Sequence, residues 1–292
     1  MKTGLVLEGG AMRGIFTAGV LDVFMDNNIT FDGIIGVSAG AIFGVNLLSR
    51  QRGRVIRYNK RFNSDRRYMG IHPLLKTGNI VDTEYAYCRV PRELDVFDDV
   101  AFMNSGIPFY AVVTNVETGE PEYIHIKSVF EQMDSLRASA SMPFVSKPVS
   151  IGGKLYLDGA VADSIPFRKF GEMGYDRLVV VLTKDIHYVK EPVSPLLSKT
   201  FYRRRFPRFE EKVRNRHIMY NDTVKELKSL EKKGEVLVIR PSENYRISRM
   251  EKDSGRLQGM YDLGLKDANA CMGKVKDYIN AETAVKQGNY TK

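Results

Sequence analysis

Apolar residues near the start of the chain come in short blocks separated by glycine-rich breaks. Gly4 to Leu7 is a compact apolar run that reads as a buried strand. From Gly14 to Asn27 the residues Ile15, Val20, Leu21, Phe24 and Met25 recur at roughly helical spacing, and Asn27-Asn28 ends the pattern. Gly33 to Val37 repeats the strand signal and Ala39 to Leu48 the helix signal. This strand–helix–strand–helix order predicts a parallel sheet with crossover helices.

Residues 50–105 are charged and interrupted by Pro73, Gly78 and Pro91, and read as a helical insertion over one rim of the sheet. Pro108 to Asn115 and Tyr123 to Ile126 flank a turn at 117–121 and predict a hairpin. Val129 to Ala140 reads as helix. A second hairpin, Val149 to Ile151 and Lys154 to Leu157 around Gly152-Gly153, delivers Asp158. Arg177 to Thr183 is a buried strand. Residues 190–207, rich in proline and basic residues, read as a mobile loop. Glu210 to Lys233 is a helix, Glu235 to Ile239 a strand, and Leu257 to Ile279 an amphipathic helix, with the last dozen residues expected to fray. Strand 235–239 belongs most naturally in the main sheet. Residues 1–292 are therefore expected as one α/β domain, with helical elaborations at about 50–105 and 190–292.

Three segments carry chemistry. In Gly36-Val37-Ser38-Ala39-Gly40 a serine stands between a strand and a helix, flanked by small residues. That context fits a nucleophile held on a sharp, strained turn, and equally a tight turn packed with small side chains. In Glu8-Gly9-Gly10-Ala11-Met12-Arg13-Gly14 a glycine-rich turn follows a strand. Its exposed amides can hold a phosphate or a developing oxyanion. Arg13 is placed either to steer a phosphate or carboxylate or simply as a surface charge. In Leu155-Tyr156-Leu157-Asp158-Gly159-Ala160 an acid ends an alternating apolar segment, and Gly159 leaves its side chain room.

Taken in this order, with Phe31-Asp32 ahead of the elbow strand and Ala140-Ser141-Met142-Pro143 ahead of the aspartate, these motifs resemble the patatin-like phospholipase family. The likeness spans about the first 185 residues and looks closest to bacterial, single-domain relatives. It implies a three-layer α/β fold with a mostly parallel central sheet. It also implies a serine acyl hydrolase acting on lipid esters without metal or cofactor. Ser38 would be the nucleophile and Asp158 the general base, with no histidine. Gly9, Gly10 and Ala11 would donate to the oxyanion, and Gly14, Gly36, Gly40 and Gly159 would support the motifs. The family's loop commonly has three successive glycines. Here Ala11 takes the third place, and the expectation is that this position needs only a small side chain.

Composition narrows the picture. The chain has a net charge of +9 and no apolar stretch long enough to span a bilayer. The apolar run before Glu8 is too short for a signal-peptide core. Two cysteines read as buried free thiols in a reducing, cytoplasmic setting, and the four histidines lack metal-ligand spacing. Basic residues crowd segments 50–67 and 199–216. They are either solvated faces or one surface attracted to an anionic membrane; no nucleic-acid module accompanies them. Three other readings compete: a dinucleotide site built on the glycine loop and Asp32, a membrane-associating scaffold without activity, and a histidine-triad hydrolase.

Overall fold

Eight strands join in one sheet in the computed structural model, which describes residues 1–281. They are β1 (Thr3–Leu7), β2 (Gly33–Val37), β3 (Phe109–Asn115), β4 (Pro121–Ile126), β5 (Val149–Ile151), β6 (Lys154–Asp158), β7 (Arg177–Val181) and β8 (Val236–Ile239). The order is β5-β6-β3-β2-β1-β7-β8, with β4 also paired to β3. From β3 through β8 the neighbours run parallel, and β4, β5 and β6 close the other edge antiparallel. β1 and β2 are buried along their whole length, which is why they read as continuous apolar runs.

The helices are α1 (Ile15–Asp26), α2 (Ala39–Leu48), α3 (Arg54–Phe62), α4 (Ile71–Thr77), α5 (Asp99–Asn104), α6 (Met133–Ser139), α7 (Phe167–Glu172), α8 (Pro195–Ser198), α9 (Pro207–Lys232) and α10 (Ser254–Asn280). A π-helical stretch, Tyr85–Leu94, lies in the insertion. Successive strand residues face opposite layers. Leu5, Leu7 and Ile34 pack with Phe16 and Phe24 of α1, Phe43 of α2 and Leu257 of α10. Val6, Ile35 and Val180 pack with Phe167 and Phe170 of α7 and Tyr220 and Leu227 of α9. The result is the expected three-layer α/β arrangement. β8 adds to the sheet beside β7, and α10 lies along α1, where Tyr261 donates to the buried Asp22 carboxylate at 2.5 Å.

Several local expectations change. Residues 190–207 carry helical turns at α8 and at Lys199–Arg203 rather than a loop. Pro195 and Pro207 occupy first-turn positions, where a missing amide costs nothing, so they start helices instead of breaking them. Ser198 and Tyr202 are buried there; Ser198 donates to Glu210 at 2.7 Å and Tyr202 accepts from the Phe144 amide at 2.7 Å. The cysteines are free but only half-buried. Of the basic residues in segment 50–67 only Arg54 is buried, against Asp95; Arg52, Arg57 and Arg67 pair with Asp26, Asp95 and Asp65 at the surface, and Arg50, Lys60, Arg61 and Arg66 are exposed. The expected fraying of the chain end falls outside the described residues, save for Ala281.

Candidate active site

Strands β2 and β3 add to one side of β1, and β7 and β8 to the other. At such a switch the loops beyond the C-terminal strand ends diverge and leave a crevice. The glycine loop after β1 and the serine turn after β2 both open into it. Ser38 has φ 55° and ψ −120°, in the left-handed half of backbone space that costs a side-chain-bearing residue roughly 1–3 kcal/mol. Gly36 and Gly40 flank it, and a Cβ on Gly40 would stand 2.4 Å from the Leu7 carbonyl oxygen. The elbow therefore sits directly on the end of β1. The Ser38 amide donates to Ser139 Oγ at 2.9 Å.

Ser38 Oγ donates to Asp158 Oδ2 at 2.9 Å. The other carboxylate oxygen of Asp158 accepts from the Ala160 amide at 2.8 Å. Its own backbone is held by Ser141 O, which accepts from its amide, and by Thr114 Oγ1, which donates to its carbonyl, both at 2.9 Å. Gly159 lies against the Val112 carbonyl, where no side chain would fit. Asp158 is buried, and burial pushes its carboxyl above the usual range; Arg216, the Ala160 amide, the Ser38 hydroxyl and Lys190 pull the other way without cancelling it.

The glycine loop is anchored by Glu8. This buried carboxylate accepts from the Thr183 amide, from Thr183 Oγ1 at 2.9 Å and from the Tyr220 hydroxyl at 2.7 Å. Gly10 abuts the same threonine, and a Cβ there would lie 2.6 Å from its hydroxyl. Among the described residues the amides of Gly9 and Gly10 have no protein acceptor. Gly14 meets Ala39 where the loop passes α2. Ala11 has φ 49°, which corrects the expectation that this position needs only a small side chain. A left-handed backbone is required, and alanine adopts it at a cost of roughly 1–2 kcal/mol.

Two cavities meet at Ser38. One runs between α2 and the insertion and is walled by apolar side chains, including Phe43, Met69, Ala86, Val90 and Leu136. The other is the more polar of the two: beside apolar side chains such as Met142, Phe144 and Val213 it receives Arg13, Lys184, Lys190, Arg216 and Arg249. Arg13 thus faces the site. Lys190 and Lys184 are pushed down to about 7 and about 8, first by burial and then by neighbouring cations, Arg216 foremost for Lys190; Glu8 opposes both shifts. Sequence reading missed Ser139, one position before the quoted Ala140-Ser141-Met142-Pro143. It also took Arg216 for a surface charge.

Among the described residues no histidine lines either cavity, and no group of side chains is arranged to hold a metal. Asp32 accepts from the Thr3 amide at 2.6 Å, at the opposite end of β1 from the glycine loop. The two halves of the dinucleotide reading therefore do not share a crevice.

A family model described as patatin-like phospholipase matches residues 5–170, more than half of the chain. The chain belongs to the patatin-like phospholipase family. A second model, a domain of unknown function (DUF6363), matches residues 206–280 of this patatin-like protein. An uncharacterized Escherichia coli protein, YjjU, is 32% identical over 186 residues, covering 62% of this chain and 52% of that relative. The lysophospholipase nte1 of Aspergillus fumigatus is 28% identical over 180 residues, 61% of this chain and 12% of its own. The Drosophila melanogaster neuropathy target esterase sws is 25% identical over 181 residues, again 61% and 12%. The patatin-like chain thus spans about half or less of the length of these relatives.

Proposed function

We propose that this protein is a lipid acyl hydrolase that cleaves carboxylic ester bonds through an acyl-enzyme, with Ser38 as nucleophile and Asp158 as general base. The observation that carries this reading is the 2.9 Å hydrogen bond from Ser38 Oγ to Asp158 Oδ2, on a strained elbow open to an apolar channel. Family membership supports it, as do two relatives named for lysophospholipase and esterase activity.

Asp158 takes the Ser38 proton as Oγ attacks the acyl carbon. The Gly9, Gly10 and Ala11 amides receive the charge that develops on the carbonyl oxygen. Asp158 then protonates the departing alcohol. Water enters and attacks the acyl carbon as Asp158 takes its proton; Asp158 returns that proton to Ser38 Oγ as the acyl C–O bond breaks, releasing the fatty acid. A carboxylate raised by burial is a better base than an ordinary aspartate, and that compensates for the missing histidine. The acyl chain occupies the apolar channel. Ser38→Ala should abolish ester hydrolysis with the fold intact, and Asp158→Asn should be nearly as damaging. Full activity in either variant would defeat the assignment.

We place the protein peripherally on a bilayer. Leu196, Leu197 and Phe201 are exposed on the short helical turns beside Arg203, Arg204 and Arg205, and Phe201 packs edge-on to Phe144, which lines the polar cavity. Among the described residues no helix is long and apolar enough to cross a membrane.

A further inference from the structure

The polar cavity at Ser38 has an unusual charge balance. Five cationic side chains line it, against three carboxylates. Glu8 is occupied by Thr183 and Tyr220, Asp158 by Ser38 and Ala160, and Glu191 is exposed at the rim. Among the described residues none of the five cations makes an ion pair, and Arg216 Nε is buried with no hydrogen-bond partner. Elsewhere the chain pairs many of its cations, as in Arg52 with Asp26, Arg57 with Asp95 and Arg168 with Glu226. Unpaired like charges sharing one partly enclosed chamber repel each other, and an anionic ligand is what relieves them.

Origin along the chain adds a second point. Only Arg13 comes from the segment matched by the patatin-like model. Lys184 and Lys190 follow β7, Arg216 lies on α9, and Arg249 precedes α10. The last two belong to the stretch 206–280 whose family match has no assigned function.

We propose that this chamber is the headgroup site, and that it selects lipid esters whose leaving alcohol bears a phosphate monoester without a compensating ammonium, as in a lysophosphatidate. The inference rests on the acyl-hydrolase reading above. The three parts of such a lipid match the three parts of the crevice in order: acyl chain in the apolar channel, ester at Ser38, phosphate among the cations. Arg216 offers a planar fork that suits phosphate oxygens, and Lys184 and Lys190 act as point charges. Burial first, and neighbouring cations after it, lower the proton affinity of both lysines, and a phosphate beside them would favour their charged forms. A choline or ethanolamine headgroup would bring another cation in among Arg13, Arg216 and Arg249, so the same residues that attract a bare phosphate disfavour a zwitterion. On this account the segment 206–280 serves the patatin-like core by building the wall that reads the headgroup.

The test compares oleoyl esters that differ only in headgroup: lysophosphatidate, lysophosphatidylcholine and mono-oleoylglycerol, in neutral detergent micelles at low salt. Wild type is assayed beside Arg216→Gln and the less invasive Lys190→Gln. The readout is the ratio of kcat/KM between lipids, which cancels any effect of Arg216 on Asp158 itself. Wild type should prefer lysophosphatidate to lysophosphatidylcholine by about tenfold or more, and each variant should lose about tenfold of that preference, mainly through KM. A wild-type preference for the choline lipid, or a ratio unmoved in both variants, overturns the proposal.

Calorimetric titration of Ser38→Ala with glycerol 3-phosphate, glycerophosphocholine and inorganic phosphate decides the matter independently of turnover. Glycerol 3-phosphate should bind best, and adding Arg216→Gln should weaken that binding about tenfold. No binding of glycerol 3-phosphate, or inorganic phosphate bound as tightly, counts against a headgroup site. Hydrolysis that survives Ser38→Ala would sink the catalytic reading and leave the titration to judge the chamber. Ser38-dependent hydrolysis without headgroup preference would sink only the chamber.

Discussion

At the scale of single residues, burial and a few neighbours set the proposed chemistry. Asp158 must be ionised to act as base, and burial holds its carboxyl above the ordinary aspartate value of about 3.9. The acid limb of kcat/KM should therefore lie above that value. Arg216 and Lys190 are the cations that favour the ionised form. Removing one raises the Asp158 pKa further, so Arg216→Gln should move the acid limb to higher pH. A limb that stays put in a pH–rate profile would mean that another group titrates. Gly10 tests the oxyanion role. Gly10→Val forces a side chain against Thr183 and displaces the loop amides, and turnover should fall about 10²–10³-fold with KM moved far less. A rise in KM with unchanged turnover would place the loop in substrate binding instead. Ser139 accepts the Ser38 amide, so Ser139→Ala leaves that buried amide unpaired. Urea unfolding should then show a loss of about 1–3 kcal/mol.

At the scale of elements, the division of labour lies between the sheet, which fixes the elbow, and the insertion, which walls the channel. Ala86, on the π-helical stretch, faces that channel. Ala86→Trp should therefore cut kcat/KM for long-chain esters by about tenfold while sparing acetyl esters, because a short acyl group does not reach it. Equal losses for both would put the acyl chain elsewhere. Much of this architecture was legible in the sequence, because β1, β2 and their following turns are contiguous and nearly every residue in them is constrained by burial. The glycine loop, elbow and Asp158 turn announced themselves in the same way. What stayed hidden depends on tertiary placement. Prolines in 190–207 signalled a break, yet position within a helix decides whether proline breaks or starts it. Arg54 and Arg216 looked like members of charge runs, and only the packing of α3 and α9 turns them inward. The left-handed backbone of Ala11 was concealed because an alanine, unlike a glycine, does not advertise positive φ.

At the scale of the whole molecule, the proposed membrane contact gathers apolar and basic groups on the turns between β7 and α9. Liposome flotation should show binding to anionic vesicles that weakens as salt rises, since exposed charges are screened beyond about 10 Å at 0.1 M. Leu196→Ser combined with Phe201→Ser should reduce it while soluble-ester hydrolysis persists. Binding that ignores lipid charge, salt and these substitutions would remove this surface from the account. Glycine loop, elbow, apolar channel and cationic chamber all converge on one hydroxyl, so the claim that organises them is the reactivity of Ser38 under the control of Asp158. Labelling with a fluorophosphonate, located by peptide mass spectrometry, measures it directly. The account predicts one adduct, on Ser38, formed at a rate that falls about a hundredfold or more in Asp158→Asn. An adduct on another serine, or an undiminished labelling rate in Asp158→Asn, would contradict it.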